Sequence, residues 1–257
     1  MGIIVFNNRS SREFGLEVES PPSYEAPERK YETFEIPGRN GDIQIDKDSF
    51  GNVNRSYDVS FDARKQGFSR TASMIMGWLR SASGYARLED SYDEDYYREA
   101  CFKQASQIEN IFNEAGKFSI EFECKPQRWL KVGEAPIDVE NGYKLTNPTF
   151  FTAEPAIVVS ANGSAISISI GENTLDVSAD RSEAFQEAEG TMISEIVTID
   201  CMNHFVKSVA EFENDDVITT YVANCNNYTS GDWPQLLPGT NTYVGPDAKL
   251  TPRWWTV

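Results

Sequence analysis

The residues that most resemble a metal site begin at Asp46. Asp46 and Asp48 occupy positions 1 and 3 of a calcium-binding loop, and Gly51 occupies position 6. Position 5 is Phe50 and position 12 is Tyr57, where an EF-hand requires an oxygen donor and a bidentate glutamate. The segment therefore predicts a polar hairpin turn and no calcium site.

Five carboxylates crowd into the seven residues from Glu89 to Asp95, a composition that suggests acid catalysis or cation binding. A glycosidase needs two carboxylates in opposed environments at a defined separation. Neighbouring residues of one exposed loop do not provide such a pair. We predict a solvated loop at this position.

The single histidine, His204, would have to serve as the base in any serine or cysteine mechanism. No nucleophile-elbow pattern supports that role, and its position suggests the end of a strand. The cysteines form no CxxC pair, and only His204 could complete a zinc site with them: Cys101, Cys124, Cys201 and Cys225. We predict reduced thiols, no catalytic residue, no metal and no cofactor.

Three tryptophans near the carboxyl end, Trp233, Trp254 and Trp255, lie among Asn, Thr and Gly. This composition suits aromatic platforms for sugar rings, and it equally suits packing in a core. In an extended segment Trp254 and Trp255 point to opposite faces, so that one of them would reach a surface or a subunit contact. Both interpretations stay open.

The elements that would position these residues are mostly strands. Apolar residues recur at alternate positions in three segments, as a strand with one buried face requires. They are Phe118, Ile120, Phe122 and Cys124; Ile166, Ile168 and Ile170; and Ile193, Val197 and Ile199. The pattern predicts a mainly β protein.

One helix is predicted over Arg70–Arg80, with Ser69 as its amino-terminal cap. A short strand is predicted after it, at Ala86–Asp90. The apolar face of the predicted helix consists of Met74, Trp78 and Leu79.

The stretch from Val132 to Asn147 predicts a linker or crossover, because Gly133, Pro136 and Gly142 interrupt regular structure. The charge balance changes at the same place. Residues 1–132 hold 18 Lys and Arg against 22 Asp and Glu, whereas residues 133–257 hold 5 against 18. We predict two domains, residues 1–132 and 133–257, and a return of the last few residues to the first domain stays open.

The net charge of −17 at pH 7 disfavours whole classes of partner. An acidic surface repels phosphate, so we expect no specific nucleic-acid binding. The apolar run at residues 2–6 is too short for an export signal, and no run approaches the length of a membrane span. We expect a soluble protein that does not insert into a membrane.

Several segments read together resemble the distal tail protein (Dit) family of siphophages. Their order and spacing carry the resemblance, since each segment alone is a common turn or strand. In the first domain they are Phe14–Pro22, Pro37–Asp42, Asn54–Tyr57, Gly84–Asp90 and Cys124–Trp129, and in the second they are Asn147–Thr149, Leu237–Asn241 and Pro252–Trp255.

The resemblance implies an amino-terminal β domain with one helix, which forms a ring, and a carboxyl-terminal galectin-like β-sandwich. It implies a homo-hexameric hub with a channel for DNA passage, which joins the tail tube protein to the tail-tip protein and to receptor-binding or baseplate proteins. Such a protein is a virion structural component of the tail tip, assembled in the bacterial host cytoplasm, and not an enzyme. The alternative is a carbohydrate-binding tail-tip module that recognises the host cell surface.

The candidate subunit-interface loop consists of Pro37, Gly38, Arg39, Asn40, Gly41 and Asp42. Gly38 and Gly41 permit positive φ in a tight turn, and Arg39 supplies a planar donor for a carboxylate within the loop or on a neighbour. A role in folding alone is equally open. We expect ring formation in the first domain, because its nearly balanced charge opposes self-association less than the acidic second domain does.

Overall fold

The structure, a computed structural model, describes residues 2–257. The chain forms two compact units, each with its own hydrophobic core. The first extends to Arg128 and includes Val257, and the second comprises Trp129–Thr256.

The first unit contains a large antiparallel sheet, one α-helix and a separate hairpin. The sheet has the strand order β2-β1-β7-β8-β10-β6-β3, with β9 added to β10, and the hairpin pairs β4 with β5. The elements are β1 (Ile4–Phe6), β2 (Arg9–Ser10), β3 (Leu16–Val18), β4 (Arg29–Phe34), β5 (Ile43–Phe50), β6 (Val53–Asp62), α1 (Phe68–Leu79), β7 (Ala86–Asp90), β8 (Tyr96–Ala105), β9 (Glu109–Ile111) and β10 (Ala115–Leu130).

The core of this unit depends on β6 and β10, which pair in antiparallel register from Val53 opposite Cys124 to Asp62 opposite Ala115. Successive side chains of a strand point to opposite faces, so every second residue enters the core. The alternation predicted for residues 118–124 is confirmed, because Phe118, Ile120, Phe122 and Cys124 are all buried.

The predicted helix is confirmed, but its cap and part of its buried face were wrong. Gly67, with φ of +84°, occupies the N-cap position, and Ser69 lies inside the helix. The buried residues are Thr71, Ile75, Trp78 and Leu79, whereas Met74 is exposed. The indole Nε1 of Trp78 donates to the Phe6 carbonyl at 3.1 Å, which joins the helix to β1. Across residues 2–257, no helix has the length and apolar character that a membrane span requires.

The second unit is a sandwich of two antiparallel sheets, in the orders β11-β21-β13-β16-β17-β18 and β12-β20-β14-β15-β19. Side chains from both sheets form one buried cluster. The strands are β11 (Ile137–Val139), β12 (Lys144–Asn147), β13 (Ala156–Ser160), β14 (Ile166–Ile170), β15 (Asn173–Val177), β16 (Thr191–Asp200), β17 (Phe205–Asn214), β18 (Val217–Asn224), β19 (Thr229–Gly231), β20 (Gly239–Val244), β21 (Ala248–Thr251) and β22 (Trp255–Thr256).

The linker predicted between Val132 and Asn147 was wrong, because two strands of the sandwich, β11 and β12, lie there. The Gly and Pro residues of this stretch mark the short connections between the strands. Gly133 itself is buried, and a Cβ added to it would meet the Trp254 backbone nitrogen at 2.8 Å. The close approach of the terminal segment therefore requires glycine at this position.

A register shift in β16 changes which residues enter the core. The pairing with β17 is irregular between Met192 and Ser194, and Ile193 is exposed despite its apolar side chain. Glu195 has the same parity as the buried Val197 and Ile199, and it is buried too. The expectation that Ile193 shares the buried face was therefore wrong, while those for Val197 and Ile199 are confirmed.

The buried carboxylate of Glu195 is balanced by Arg181, which lies in the 3₁₀ segment Ala179–Phe185. Arg181 donates from Nε and Nη2 to the two oxygens of Glu195, both at 2.9 Å. The Ser208 hydroxyl and the Gly163 amide donate to the same carboxylate at 2.7 Å each. Burial alone would raise the pKa of Glu195, but the hydrogen bonds from Arg181, Ser208 and Gly163 outweigh it and lower that pKa.

We expect Arg181→Met to lower the free energy of unfolding by about 3–5 kcal/mol at pH 7, because it leaves the Glu195 carboxylate buried without its counter-ion. Urea denaturation measures the change. Arg64→Met, which removes an exposed pair with Asp62, serves as the control and should change little.

The difference between the wild type and Arg181→Met should narrow at acid pH. Because the pKa of Glu195 is lowered in the folded protein, its contribution is present above the unfolded pKa near 4.5 and is lost as the pH falls through the folded pKa. A pH-independent difference would contradict this account.

Candidate functional site

The predicted interface loop lies at the tip of the β4–β5 hairpin of the first unit. Gly38 and Gly41 both have φ of +81°, and the Arg39 amide donates to the Ile36 carbonyl at 3.1 Å. The turn geometry therefore requires the glycines. The side chains from Pro37 to Asp42 are exposed, and Arg39 forms no ion pair within residues 2–257.

One face of this hairpin is apolar and exposed. The register pairs Phe34 with Ile43 and Glu32 with Ile45, so that Phe34, Ile43 and Ile45 project from the same face. Ile45 is 53% exposed and Phe34 is 46% exposed. The opposite face carries polar and amphipathic side chains: Tyr31, Thr33, Gln44 and Asp46. We call the first of these the hairpin apolar face.

The calcium-like segment lies in β5 of the same hairpin, and not in the turn that the sequence predicted. The Asp46 carboxylate forms an ion pair with Arg29, which also approaches Asp48 at 3.4 Å. The Arg29 guanidinium, by its hydrogen bond, holds the pKa of Asp46 below its usual range. Within residues 2–257 no cluster of His, Cys, Asp and Glu has the geometry of a metal site.

The acidic run is not the solvated loop that was expected, because two of its carboxylates bind arginines. Asp90 Oδ2 accepts from Arg55 Nη2 at 3.1 Å and from the Tyr57 hydroxyl at 2.7 Å. Asp93 accepts a bidentate interaction from Arg128, with its shortest contact at 2.7 Å. These contacts connect three segments that are far apart in the sequence: residues 54–57, 84–90 and 124–129.

The aromatic residues of the second unit mostly pack within it. Trp254 is buried in the sandwich core, and Trp255 stacks on Phe151 with ring centroids 4.6 Å apart. His204 lies in the turn directly before β17 and stacks on Trp233 at 4.9 Å. The structure thus favours packing over a sugar platform for Trp254.

The cysteine thiols lack the surroundings of a nucleophile. Burial raises the pKa of Cys124 to about 11 and that of Cys201 to about 12, so both stay protonated at neutral pH. All four cysteines are free thiols. Neither of these two residues has the depressed pKa that thiol catalysis needs.

A groove of about 630 Å³ lies on the solvent side of the six-stranded sheet of the second unit. Tyr143 supplies an aromatic ring, and Val158 and Ile196 supply apolar surface. Three carboxylates and one ammonium group also line it: Asp138, Glu140, Asp247 and Lys249. Sequence reasoning missed this groove, because its lining residues come from strands that are distant along the chain.

No family model matches the chain, and no curated protein matches it in sequence. Among solved structures, the chain is similar to the crystal structure of the phage SPP1 Dit (gp 19.1) protein. That protein is described as a paradigm of the hub adsorption apparatus in phages that infect Gram-positive bacteria. The two chains are 12% identical and match over 100% of each, with a TM-score of 0.68.

This likeness shows the fold. The mainly β fold implied by the sequence resemblance is confirmed over the full length of the chain, despite the low identity. The few shared residues are therefore enough to indicate the architecture.

We expect calcium and EDTA to leave the melting temperature unchanged, because the Asp46 carboxylate is occupied by Arg29. Thermal melting followed by circular dichroism, with each addition in turn, measures this. A calcium-dependent rise that Asp46→Asn abolishes would show that a metal displaces Arg29.

Proposed function

We propose that this chain is a structural hub protein at the tip of a phage tail. The observation that carries the proposal is the similarity to the SPP1 Dit protein over the whole of both chains. A fold alone does not specify a function, but a two-unit architecture reproduced from end to end is more specific than one common domain. The sequence resemblance to the same family supports the proposal independently.

In this proposal six copies form a ring around a channel through which DNA passes. The ring joins the tail tube protein to the tail-tip protein and to receptor-binding proteins, at the tail tip of a virion assembled in the host cytoplasm. The net charge of −17 per copy suits passage of DNA, because an acidic lining repels phosphate and does not retain it. No enzymatic activity is part of the proposal.

The hairpin apolar face supports a subunit contact in the first unit. An isolated two-stranded hairpin is marginally stable in water, and exposed apolar side chains gathered on one face mark an interaction surface. Burying Phe34, Ile43 and Ile45 against a second copy would remove that surface from water. The loop from Pro37 to Asp42 lies at the tip of the same hairpin, where Arg39 is free to bind a carboxylate of the neighbouring copy.

We expect Ile45→Asp to abolish assembly of the full-length chain without unfolding it, because Ile45 is exposed within the subunit. Gln44→Asp is the matched control, since it adds the same charge to the adjacent residue on the opposite face. Light scattering and negative-stain imaging measure the mass and the shape of the assembly.

The ring proposal fails if the wild-type chain stays monomeric at high concentration. The assignment of the interface to the hairpin fails if both variants assemble equally well. Arg39→Glu in the same assay tests the contribution of the loop at the tip.

A second candidate function is carbohydrate binding by the second unit, as a module that recognises the host cell surface. The groove beside Tyr143 favours it, because one aromatic ring and several polar groups can together hold a sugar. Under this alternative, Tyr143→Ala would weaken binding of the full-length chain to host cell-wall polysaccharide at least tenfold, whereas Phe150→Ala, at an exposed position outside the groove, would not. Absence of binding by the wild type would remove this candidate and leave the hub proposal intact.

A further inference from the structure

Arg98, on β8 of the first unit, is a buried arginine without a counter-ion. Its relative exposure is 5%, and its Nη1 atom is buried with no hydrogen-bond partner. Burial of the guanidinium lowers its pKa, and the nearby Arg55 and Arg128 contribute to the same shift. A buried charge in this situation is strongly unfavourable unless an opposite charge compensates it.

The carboxylates near Arg98 are already engaged by other arginines. Asp90 binds Arg55 and the Tyr57 hydroxyl, and Asp93 binds both ends of the Arg128 guanidinium. The cluster therefore holds three arginines and two aspartates. One positive charge remains, and it belongs to the most buried of these groups without a partner.

A small cavity adjoins this uncompensated charge. Arg98 lines it together with Tyr57, Asp90, Asp93 and Tyr96, and it has room for about one occupant of the size of a water molecule. A cation would be repelled by Arg98, and a water molecule would satisfy Nη1 but leave the charge uncompensated. A single small anion satisfies both requirements.

We propose that this cavity binds one small monovalent anion, of the size and charge of chloride, held by the Arg98 guanidinium. The anion completes the charge balance among β6, β8 and the end of β10, the strands that carry Arg55, Arg98 and Arg128. It thereby stabilises the connection between β7 and β8, where Asp93 lies. This inference concerns the first unit alone and does not depend on the proposed function.

Bromide diffraction is the direct test, since bromide replaces chloride and scatters anomalously. Crystals of the wild-type chain soaked in sodium bromide should show an anomalous peak within hydrogen-bond distance of Arg98 Nη1. A water molecule at that position, with no anomalous signal, would overturn the proposal.

Melting in solution tests the same site without crystals. At constant ionic strength, replacing sodium gluconate by sodium chloride should raise the wild-type melting temperature saturably, by about 2–4 °C, because gluconate is too large for the cavity. Arg98→Met keeps the length of the side chain and removes the charge, so it should abolish the chloride effect. Arg64→Met, an exposed arginine outside the cluster, should retain it.

An equal chloride effect in the wild type and in Arg98→Met would place the ion elsewhere and refute the proposal, and so would the absence of any chloride effect in the wild type. If Arg98→Met fails to fold, the bromide experiment on the wild type decides alone.

Discussion

The two faces of a β-strand impose the constraint on which this structure depends. A chain built almost entirely of strands must cover one face of each sheet, and successive side chains necessarily alternate between the covered and the open side. In the first unit, α1 and the folded sheet enclose Phe6, Phe122 and Trp78, and in the second unit the two sheets cover each other. The β4–β5 hairpin is the exception, since its apolar face has no cover within the subunit. The likeness to a hub protein and the bare hairpin thus point to the same kind of function.

Much of this architecture was predictable because alternation is a local property of the sequence. Residues 118–124 and 166–170 follow it without interruption, and both lie in strands with the expected buried face. The prediction failed where a distant residue altered the pattern. Ile193 is exposed because the register shifts beside it, and Glu195 can be buried only because Arg181 arrives from another segment. Nothing in residues 191–200 alone reveals that partner.

The candidate sites show the same division between local and distant information. The glycines of the loop at Gly38 and Gly41 were recognisable, since positive φ in a tight turn favours glycine at those positions. The acidic run was misjudged, because a cluster of charges in the sequence does not reveal whether arginines lie across the sheet. Arg55 and Arg128 are 73 residues apart in the chain, and the fold brings them to Asp90 and Asp93. The burial of Arg98 between them is likewise a property of the tertiary structure alone.

The way in which the hairpin joins the first unit has a mechanical consequence. β4 and β5 pair only with each other, and Gly51 closes their base through its amide bond to the Glu28 carbonyl at 2.8 Å. A ribbon of two strands attached only at its base bends far more easily than a packed sheet does. It acts as a compliant arm, which keeps hold of an adjacent molecule while the spacing between the bodies changes. An assembly joined by such arms can stretch or tilt without breaking its contacts.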